Sequence, residues 1–294
     1  MKVLITGSHG MIGSALAAAL EADGHDVVRL SRGGGTSSWD PERGLLDERA
    51  LIGIDAAVHL AGAGIADKRW TPERKEEIRR SRTVSTDLLA RRLAAMDPRP
   101  DVLVSGSAIG FYGSRGDELL DEDSPPGSGY LADVVRQWET ATGPAEEAGI
   151  RVVHIRTGVV QSRQGGALRK QLPLFRFGLG GRLASGAQYV SWITLDDEIA
   201  AIRHALDTAS LAGAVNLTAP NPVTNAEYTR VLGKALGRPT VLTVPNFALG
   251  LALGSDMTEE MLTASARVLP NRLQNSGFQF QHPTLAEALA SVLR

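Results

Sequence analysis

Short, nearly continuous apolar runs alternate with stretches of helical spacing over the first half of the chain. The runs lie at residues 2–6, 26–30, 55–61, 101–107 and 151–156, and each is predicted to form a β-strand. Uninterrupted apolar runs of this length are typical of parallel strands that are buried on both faces of a sheet. The pattern therefore predicts a parallel sheet covered by helices on both sides.

The segments between these strands show the spacing and the end signals of helices. Ile12, Leu16 and Leu20 recur every fourth residue, and Gly24 is suited to end that helix in the left-handed region. A longer helix is predicted after Thr71, whose hydroxyl can cap its first turn. The alternation of strand and helix predicts an α/β protein with a Rossmann-type doubly wound parallel sheet and a smaller C-terminal substrate lobe.

The regular alternation ends after about residue 157, where a glycine-rich and irregular segment follows. We predict a dinucleotide-binding Rossmann domain over residues 1–160, which later segments can rejoin, and a substrate lobe over residues 161–294. The lobe is expected to include a helical C-terminal domain from about residue 246.

Composition narrows the classes of function. The chain has 294 residues, 43% of them apolar, and a net charge of −2 without a dominant basic block, which argues against a nucleic-acid or membrane-surface partner. It has no cysteine, and the spacing typical of metal ligands is absent, so neither disulfides nor a metal are expected. The first apolar run is too short for a secretory leader, and no window reaches about 18 uninterrupted apolar residues. We expect a cytoplasmic protein.

The first strand is followed by the sequence TGSHGMIG, which places Gly7, Gly10 and Gly13 between a strand and a helix. Glycine permits a tight turn and lets backbone N–H groups approach a pyrophosphate. The helix that starts at Met11 adds the positive end of its dipole. At the start of an alternating α/β chain, this arrangement predicts a dinucleotide-binding loop.

The residues after the second strand indicate which dinucleotide is bound. Folds that select NAD usually place an acid here, about 20 residues after the glycines, where it holds the ribose 2′-hydroxyl. No acid lies between Val27 and Ser38. Ser31 can hydrogen-bond a phosphate and Arg32 supplies a planar, permanent cation, so this segment predicts NADP(H).

Several motifs together resemble a known family. The TGxxGxxG loop, HLAG (59–62), LVSGSAIGFYG (103–113) and GYLADVV (129–135) are similar to those of an extended short-chain dehydrogenase/reductase. The stretches RWTPERKEEIRRSR, GALRKQLPLFRFGLGG, SGAQYVSWI and VLPNRLQNSGFQFQHPTLAEAL resemble one atypical, NAD(P)-dependent epimerase/dehydratase-like subfamily. Its members are usually labelled epimerase-family proteins and carry a C-terminal domain of unknown function. The resemblance covers essentially the whole chain and implies a Rossmann fold that binds NADP(H), but it implies no particular substrate.

The resemblance also implies a set of contacts to the cofactor. They fall on the glycine loop, on the pair after the second strand, on the LAG segment, on an acid and an arginine of the following helix, and after the RTG strand. These residues are Gly7, Ser8, Gly10, Met11, Ile12, Gly13, Ser31, Arg32, Leu60, Ala61, Gly62, Glu77, Arg82 and Val160. If the extended fold is followed, Gln188 and Trp192 are expected on the substrate side.

The catalytic motif departs from the family's pattern. The superfamily uses a serine, a tyrosine and a lysine one helical turn after the tyrosine, and the charge of that lysine favours the phenolate. Ser107 and Tyr130 match the serine and the tyrosine, but Val134 stands where the lysine is expected. No lysine lies anywhere from Glu76 to Arg169, so a shift of alignment does not restore it.

Three interpretations stay open. In the first, Tyr130 still donates the proton, and the charges of the cofactor and of another cation adjust its acidity. In the second, Tyr112 supplies the acid or base, with His59 as a further candidate. In the third, the protein binds NADP(H) without conventional catalysis, as a sensor or regulatory protein. The expected substrate is an unidentified small molecule, neither nucleic acid nor membrane is expected as a partner, and a homodimer is left open.

Overall fold

The computed structural model describes residues 1–32 and 37–294. Each of the five strands predicted from the apolar runs is present, with ends within two residues of the predicted bounds. The strands are β1 (Lys2–Thr6), β2 (Asp26–Leu30), β3 (Trp39–Asp40), β4 (Leu45–Leu46), β5 (Ala56–His59), β6 (Val102–Ala108), β7 (Leu119–Leu120), β8 (Arg151–Thr157), β9 (Val159–Gln161), β10 (Gly181–Leu183), β11 (Tyr189–Val190), β12 (Trp192–Thr194), β13 (Gly213–Leu217), β14 (Val223–Thr224), β15 (Leu242–Val244) and β16 (Arg267–Val268).

The helices begin and end at the signals that the sequence carries. Thr71 Oγ1 accepts the backbone N–H of Arg74 at 3.1 Å, as expected of a cap, and Gly24 has a φ of +82° just after the first helix. The helices are α1 (Met11–Ala22), α2 (Pro72–Ala94), α3 (Tyr130–Thr140), α4 (Gly143–Glu147), α5 (Gly166–Arg176), α6 (Leu195–Asp207), α7 (Asn225–Leu236), α8 (Asn246–Leu253), α9 (Ser255–Met257), α10 (Asn271–Asn275) and α11 (Leu285–Val292). Within the described residues, none of them is long and apolar enough to cross a membrane.

Six strands form the central sheet in the order β13, β8, β6, β5, β1, β2. β1 runs parallel to β2, with Val3 opposite Val27, and parallel to β5, with Val3 opposite Ala56. β6 continues parallel to β5. The chain therefore winds outward from β1 in both directions, which confirms the predicted doubly wound, Rossmann-type sheet. In such sheets ligands bind outside the carboxyl ends of the strands, where β1 and β5 lead into Gly7 and Leu60.

One compact unit comprises Met1–Ser107, Val134–Ile155 and Ile199–Val215. Its hydrophobic core joins strands of the sheet to α2, and both Leu4 of β1 and Leu103 of β6 are fully buried. This burial explains why the strands are nearly continuous apolar runs, since side chains on both faces of the sheet are covered.

The second compact unit comprises Ala108–Asp133, Arg156–Glu198 and Asn216–Arg294. Trp192 lies fully buried in its core with side chains from α5, α7 and α11. A capping box starts α11: the backbone N–H of Glu287 donates to Thr284 Oγ1, and the Glu287 carboxylate accepts the backbone N–H of Thr284.

No single boundary in the chain separates the two units, because each unit is built from three separate segments. Residues 108–133 group with the second unit, and residues 199–215 group with the first. The second of these segments leads into β13, which lies at the edge of the central sheet. The functional division into residues 1–160 and 161–294 stays a prediction.

Candidate functional site

The glycine loop closes against the segment that follows β5. Gly7 has a φ of +67°, and a Cβ atom at this position would lie 2.7 Å from the backbone C and O atoms of Leu60 and 2.9 Å from the nitrogen of Ala61. The N–H of Gly10 donates to Gly7 O at 2.9 Å and closes the turn. Residue 7 must therefore be glycine for both its backbone conformation and its space.

The first N–H groups of α1 have no partner within the helix, as at the start of any α-helix. A Cβ atom on Gly13 would overlap the carbonyl oxygen of Gly7, so the helix begins directly against the loop. Gly10 is the N-cap, and the first turn, which starts with Met11 and Ile12, carries no acidic side chain. The positive end of the helix dipole is not neutralised from within the turn.

The hydroxyl of Ser8 supplies a polar group in the same loop. Ser8 is 3% exposed, and among the described residues its Oγ has no hydrogen-bond partner. Leaving such a hydroxyl unpaired costs about 1–3 kcal/mol, and a phosphate oxygen of a bound nucleotide would satisfy it. The loop therefore fits the phosphates of a dinucleotide in both shape and hydrogen bonding.

Thr6, His59 and Ser85 form a buried hydrogen-bonded chain at the ends of β1 and β5. Thr6 Oγ1 accepts the N–H groups of Leu60 and Ala61 at 3.2 and 3.3 Å, so its own proton goes to His59 Nδ1 at 2.7 Å. His59 Nε2 must then carry the ring proton, which it donates to Ser85 Oγ at 3.3 Å. The histidine thus joins the strand to helix α2.

His59 is fully buried, and this fixes its charge. Burial, and after it the charge of Arg82, lowers the pKa of His59 to about 3. The ring stays neutral near pH 7, and both its nitrogens are used within the core. His59 therefore does not suit the role of an acid or base that reaches a substrate.

Arg82 lies across the LAG segment. A Cβ atom on Gly62 would lie 3.3 Å from Arg82 Cζ, and the guanidinium donates to the carbonyl oxygens of Ala63 and Ile78, each at 3.0 Å. Its Cζ lies 5.1 Å from the centre of the Trp138 ring, as in a cation–π contact. The guanidinium of Arg82, fixed by these hydrogen bonds and this contact, therefore lies beside residues that the resemblance assigns to the cofactor.

Ser31 and Arg32 follow the end of β2. Ser31 forms a parallel bridge with Ser38, and its backbone oxygen accepts the N–H of Trp39 at 3.1 Å. Arg32 is exposed. The segment thus presents a hydroxyl and a cation at the carboxyl end of the strand, where the sequence predicts the 2′-phosphate.

Glu77 pairs with its neighbour on α2. Its carboxylate accepts a hydrogen bond from Arg74 at 2.6 Å, and this bond lowers the pKa of Glu77, with smaller contributions from the charges of Lys68 and Arg32.

Ser107, at the end of β6, is bonded to a carboxylate. Its Oγ donates to Glu139 Oε1 at 2.6 Å. Gly106 leaves room for Trp138, since a Cβ atom there would lie 2.9 Å from the indole ring. Thr142 Oγ1 donates to the backbone oxygen of Glu139 at 2.7 Å. The sequence QWE (137–139) therefore holds the last turn of α3 against the serine.

Tyr130 is the first residue of α3 and is partly exposed. Val134 follows one turn later and is 2% exposed, so a buried apolar side chain lies at the position where the superfamily motif predicts a lysine. The N–H groups of Tyr130 and Leu131 donate to the Glu260 carboxylate at 2.6 and 2.9 Å. The start of the helix is thus capped by an acid 130 residues away.

Tyr112 lies in the core of the second unit and is fully buried. Its hydroxyl donates to Asn216 Oδ1 at 2.7 Å and accepts from Arg156 Nη1 at 3.0 Å. Burial raises the pKa of Tyr112 to about 12, although the charge of Arg156 opposes the increase. The hydroxyl is used inside the core, which does not suit exchange of a proton with a substrate.

The residues expected near the substrate are also packed inside the second unit. Trp192 is fully buried, and its Nε1 donates to Asn221 O at 3.2 Å. Gln188 is 7% exposed and donates to two backbone carbonyls, at 3.2 and 3.1 Å. Val160, which the resemblance assigns to the cofactor, is 8% exposed. An amphipathic side chain suits a core as well as a ligand wall, and the place of Gln188 and Trp192 on the substrate side stays a prediction.

Three carboxylates hold positions that sequence reasoning did not assign. Glu139 ends the sequence QWE (137–139), and the closeness of this sequence to the GYLADVV motif is the signal that could have found it, whereas Glu260 has no comparable signal. Glu198 is fully buried, its Oε1 accepts from Thr157 Oγ1 at 2.8 Å, and its Oε2 has no partner among the described residues. Burial raises the pKa of Glu198 to about 8.

Comparison with known proteins gives matches over the whole chain. Residues 3–217 match the NAD dependent epimerase/dehydratase family, and residues 244–292 match a domain of unknown function, DUF1731. Epimerase family protein Mb2239 of Mycobacterium bovis is 46% identical over 291 residues, which cover 98% of this chain and 96% of that protein. Epimerase family protein SDR39U1 of Homo sapiens is 36% identical over 300 residues, which cover 100% of both. A crystal structure of human SDR39U1 (isoform 2) with NADPH aligns with a TM-score of 0.91 at 33% identity, covering 99% of each chain.

Proposed function

Because this chain belongs to the NAD dependent epimerase/dehydratase family, as its motifs predict, we propose that it is an NADP(H)-dependent oxidoreductase or epimerase-like enzyme that acts on a small molecule. The observation that carries this proposal is the glycine loop. Gly7 and Gly13 leave no space for a side chain, and the buried hydroxyl of Ser8 lacks a partner among the described residues. These properties suit a loop that holds the phosphates of a dinucleotide.

Two residues after β2 support NADP(H) over NAD(H). Ser31 offers a hydroxyl, and the exposed Arg32 offers a planar cation, at the position where an acid would favour the free 2′-hydroxyl of NAD. The human relative was solved with NADPH, which agrees with this choice. Arg82, held across Gly62, adds a second cation beside the LAG segment.

When bound, a nicotinamide cofactor supplies the donor or acceptor of hydride in reactions of this kind. Ser107 and Tyr130 match the serine and the tyrosine of the superfamily, and we propose that each contributes its hydroxyl to catalysis. The lysine that favours the phenolate in the superfamily is replaced by Val134, so the role we propose for Tyr130 is that of a hydrogen-bond donor and not of a base. Tyr112 and His59 do not share this role, because their polar atoms are used within the core.

The proposal is tested by binding and turnover together. The purified protein is titrated with NADPH and NADH, and then incubated with NADPH and libraries of carbonyl compounds and nucleotide sugars. We expect NADPH oxidation or sugar interconversion, lost in Tyr130→Phe with NADPH binding retained. Tyr189→Phe, a second partly exposed tyrosine, is the control and should keep its activity. A protein that binds no dinucleotide contradicts the proposal.

A second candidate is a non-catalytic, NADP(H)-dependent sensor or regulatory protein. The buried Val134 favours it, because the cation that makes tyrosine a base in this superfamily is replaced by an apolar side chain. Tight NADPH binding, absence of turnover across both libraries, and a protein partner whose binding depends on the cofactor would support this candidate over the enzyme.

A further inference from the structure

The hydroxyl proton of Ser107 is held by one acceptor. The distance of 2.6 Å between Ser107 Oγ and Glu139 Oε1 lies in the range of about 2.5–2.7 Å that is typical of charge-assisted O–H···O⁻ bonds. A serine hydroxyl has one proton and two lone pairs. When a carboxylate holds that proton, the oxygen presents an acceptor to a neighbouring ligand. Ser107 is 5% exposed, so bulk water competes little for the bond.

The packing of α3 fixes this pair. Trp138 lies directly on Gly106, and the guanidinium of Arg82 stacks over the indole ring at 5.1 Å. The hydroxyl of Thr142 donates to the backbone oxygen of Glu139 at 2.7 Å. Trp138 is fixed by its packing on Gly106, and the backbone carbonyl of Glu139 is fixed by the hydrogen bond from Thr142. These contacts keep the Glu139 carboxylate at the end of β6.

The polarity of this bond bears on the substrate. A serine that donates its proton to a ligand recognises a carbonyl, whereas a serine that presents a lone pair recognises a hydroxyl. We propose that Glu139 is the positioning residue of Ser107, that it takes up the reaction proton through Ser107, and that the substrate group bound there is an alcohol. This inference rests on the proposed function.

The proton and electron count of the step is complete with a nicotinamide cofactor. As the alcohol is oxidised, its O–H proton passes to Ser107 Oγ, and the original Ser107 proton passes to the Glu139 carboxylate. The hydride on the same carbon passes to the oxidised cofactor, and the C–O bond becomes a carbonyl. Reduction of a carbonyl follows the same path in reverse, starting from the protonated carboxyl of Glu139.

The pair is tested first without cofactor or substrate. The protein is labelled with glutamate carrying carbon-13 at Cδ, and its carboxyl signals are followed by NMR as the pH is varied. The signal missing in Glu139→Gln identifies Glu139. A hydrogen bond to a carboxylate favours the charged form, so Ser107→Ala should move the Glu139 midpoint to higher pH by about 0.5–1 unit.

Ser105→Ala is the matched control, because Ser105 lies two residues earlier on the same strand and is fully buried, with its Oγ 3.4 Å from Gly106 O. It should leave the Glu139 midpoint unchanged. A Glu139 midpoint that stays the same in Ser107→Ala overturns the inference, whether or not the protein proves to be an enzyme.

Turnover tests the proton path itself. With 9,10-phenanthrenequinone as a carbonyl probe and NADPH, Glu139→Gln should lower kcat at least about 10-fold at unchanged NADPH affinity, and Glu139→Asp should restore part of the loss. Glu147→Gln, an exposed acid on α4, should behave as the parent protein. A Glu139→Gln variant with full kcat overturns the inference. If the parent protein turns over neither this probe nor the carbonyl and nucleotide-sugar libraries, the proposed function fails, and the NMR result still decides the Ser107–Glu139 pair.

Discussion

The side-chain carboxylate of Glu260 accepts the backbone N–H of Tyr130 at 2.6 Å and that of Leu131 at 2.9 Å. These are the first two N–H groups of α3, and an α-helix offers them no partner of its own. A negative charge at this end also interacts favourably with the helix dipole. Glu260 therefore stabilises the helix on which Tyr130 lies, from within the segment that matches the domain of unknown function.

Removing this cap should destabilise the protein. We expect Glu260→Ala to lower the free energy of unfolding by about 1–3 kcal/mol, and Glu260→Gln to lower it less, since an amide oxygen still accepts one hydrogen bond. Urea denaturation followed by circular dichroism measures the change. Glu259→Ala removes the exposed neighbouring acid and should change stability by less than about 0.5 kcal/mol. Equal effects of the two alanine variants would contradict the capping role.

The glycine loop should not tolerate a methyl group at residue 13. A Cβ atom on Gly13 meets the backbone of Gly7 and Ser8, which cannot move without opening the turn. Gly13→Ala is expected to cost about 1–3 kcal/mol of stability and to weaken NADPH binding at least about 10-fold. The control is Gly143→Ala, because a Cβ atom there meets nothing within 4 Å. Calorimetric titration and urea denaturation test both variants, and undiminished NADPH binding by Gly13→Ala would exclude this loop as the phosphate site.

Arg32 should discriminate between the two dinucleotides. If its guanidinium holds the 2′-phosphate, Arg32→Ala raises the Kd for NADPH about 10-fold or more and leaves the Kd for NADH within about 2-fold. Arg43→Ala, another exposed arginine of the same unit, controls for a general loss of positive charge. Fluorescence titration of the parent protein and both variants with each reduced dinucleotide gives six dissociation constants. An equal loss for NADPH and NADH would refute the assignment.

Burial of Glu198 should make stability depend on pH. Its pKa is raised from 4.5 to about 8, so between these values the folded protein keeps a proton that the unfolded chain releases. The contribution of this group is therefore fully present below about pH 4.5 and is lost as the pH rises toward 8, at about 1.4 kcal/mol per pH unit.

The variant Glu198→Gln removes this titration. Its free energy of unfolding should exceed that of the parent protein at pH 8, and the difference should shrink toward pH 5. Urea denaturation at several pH values between 5 and 8 measures both proteins, with Asp196→Asn, an exposed acid of the same helix turn, as control. Parallel curves for the parent protein and Glu198→Gln would show that Glu198 is ionised in the folded state.

The fold was predictable because its signals are local. Each strand of the central sheet is a run of neighbouring apolar residues, since parallel strands are covered on both faces. The turn at Gly7 and Gly13 was also predictable, because glycine is required where backbone approaches backbone and this requirement is visible within eight letters, TGSHGMIG. These features depend on residues that lie close together in the chain.

The site was less predictable because its contacts join distant residues. The Ser107–Glu139 bond spans 32 positions, and the Tyr130–Glu260 contact spans 130. No periodicity connects residues so far apart. The position of Trp192 was equally hard to infer, because an indole suits a ligand wall and a core alike, and only the packing around it separates the two.

The stacking of Trp138 between Gly106 and Arg82 has an optical consequence. Indole emission depends on nearby charge and on solvent, and this ring is 7% exposed beneath a guanidinium that also covers Gly62. A molecule that displaced or neutralised Arg82 would change the colour and intensity of that emission. With the other tryptophans, Trp39, Trp70 and Trp192, replaced by phenylalanine, the protein would carry its own fluorescent reporter of events at the LAG segment.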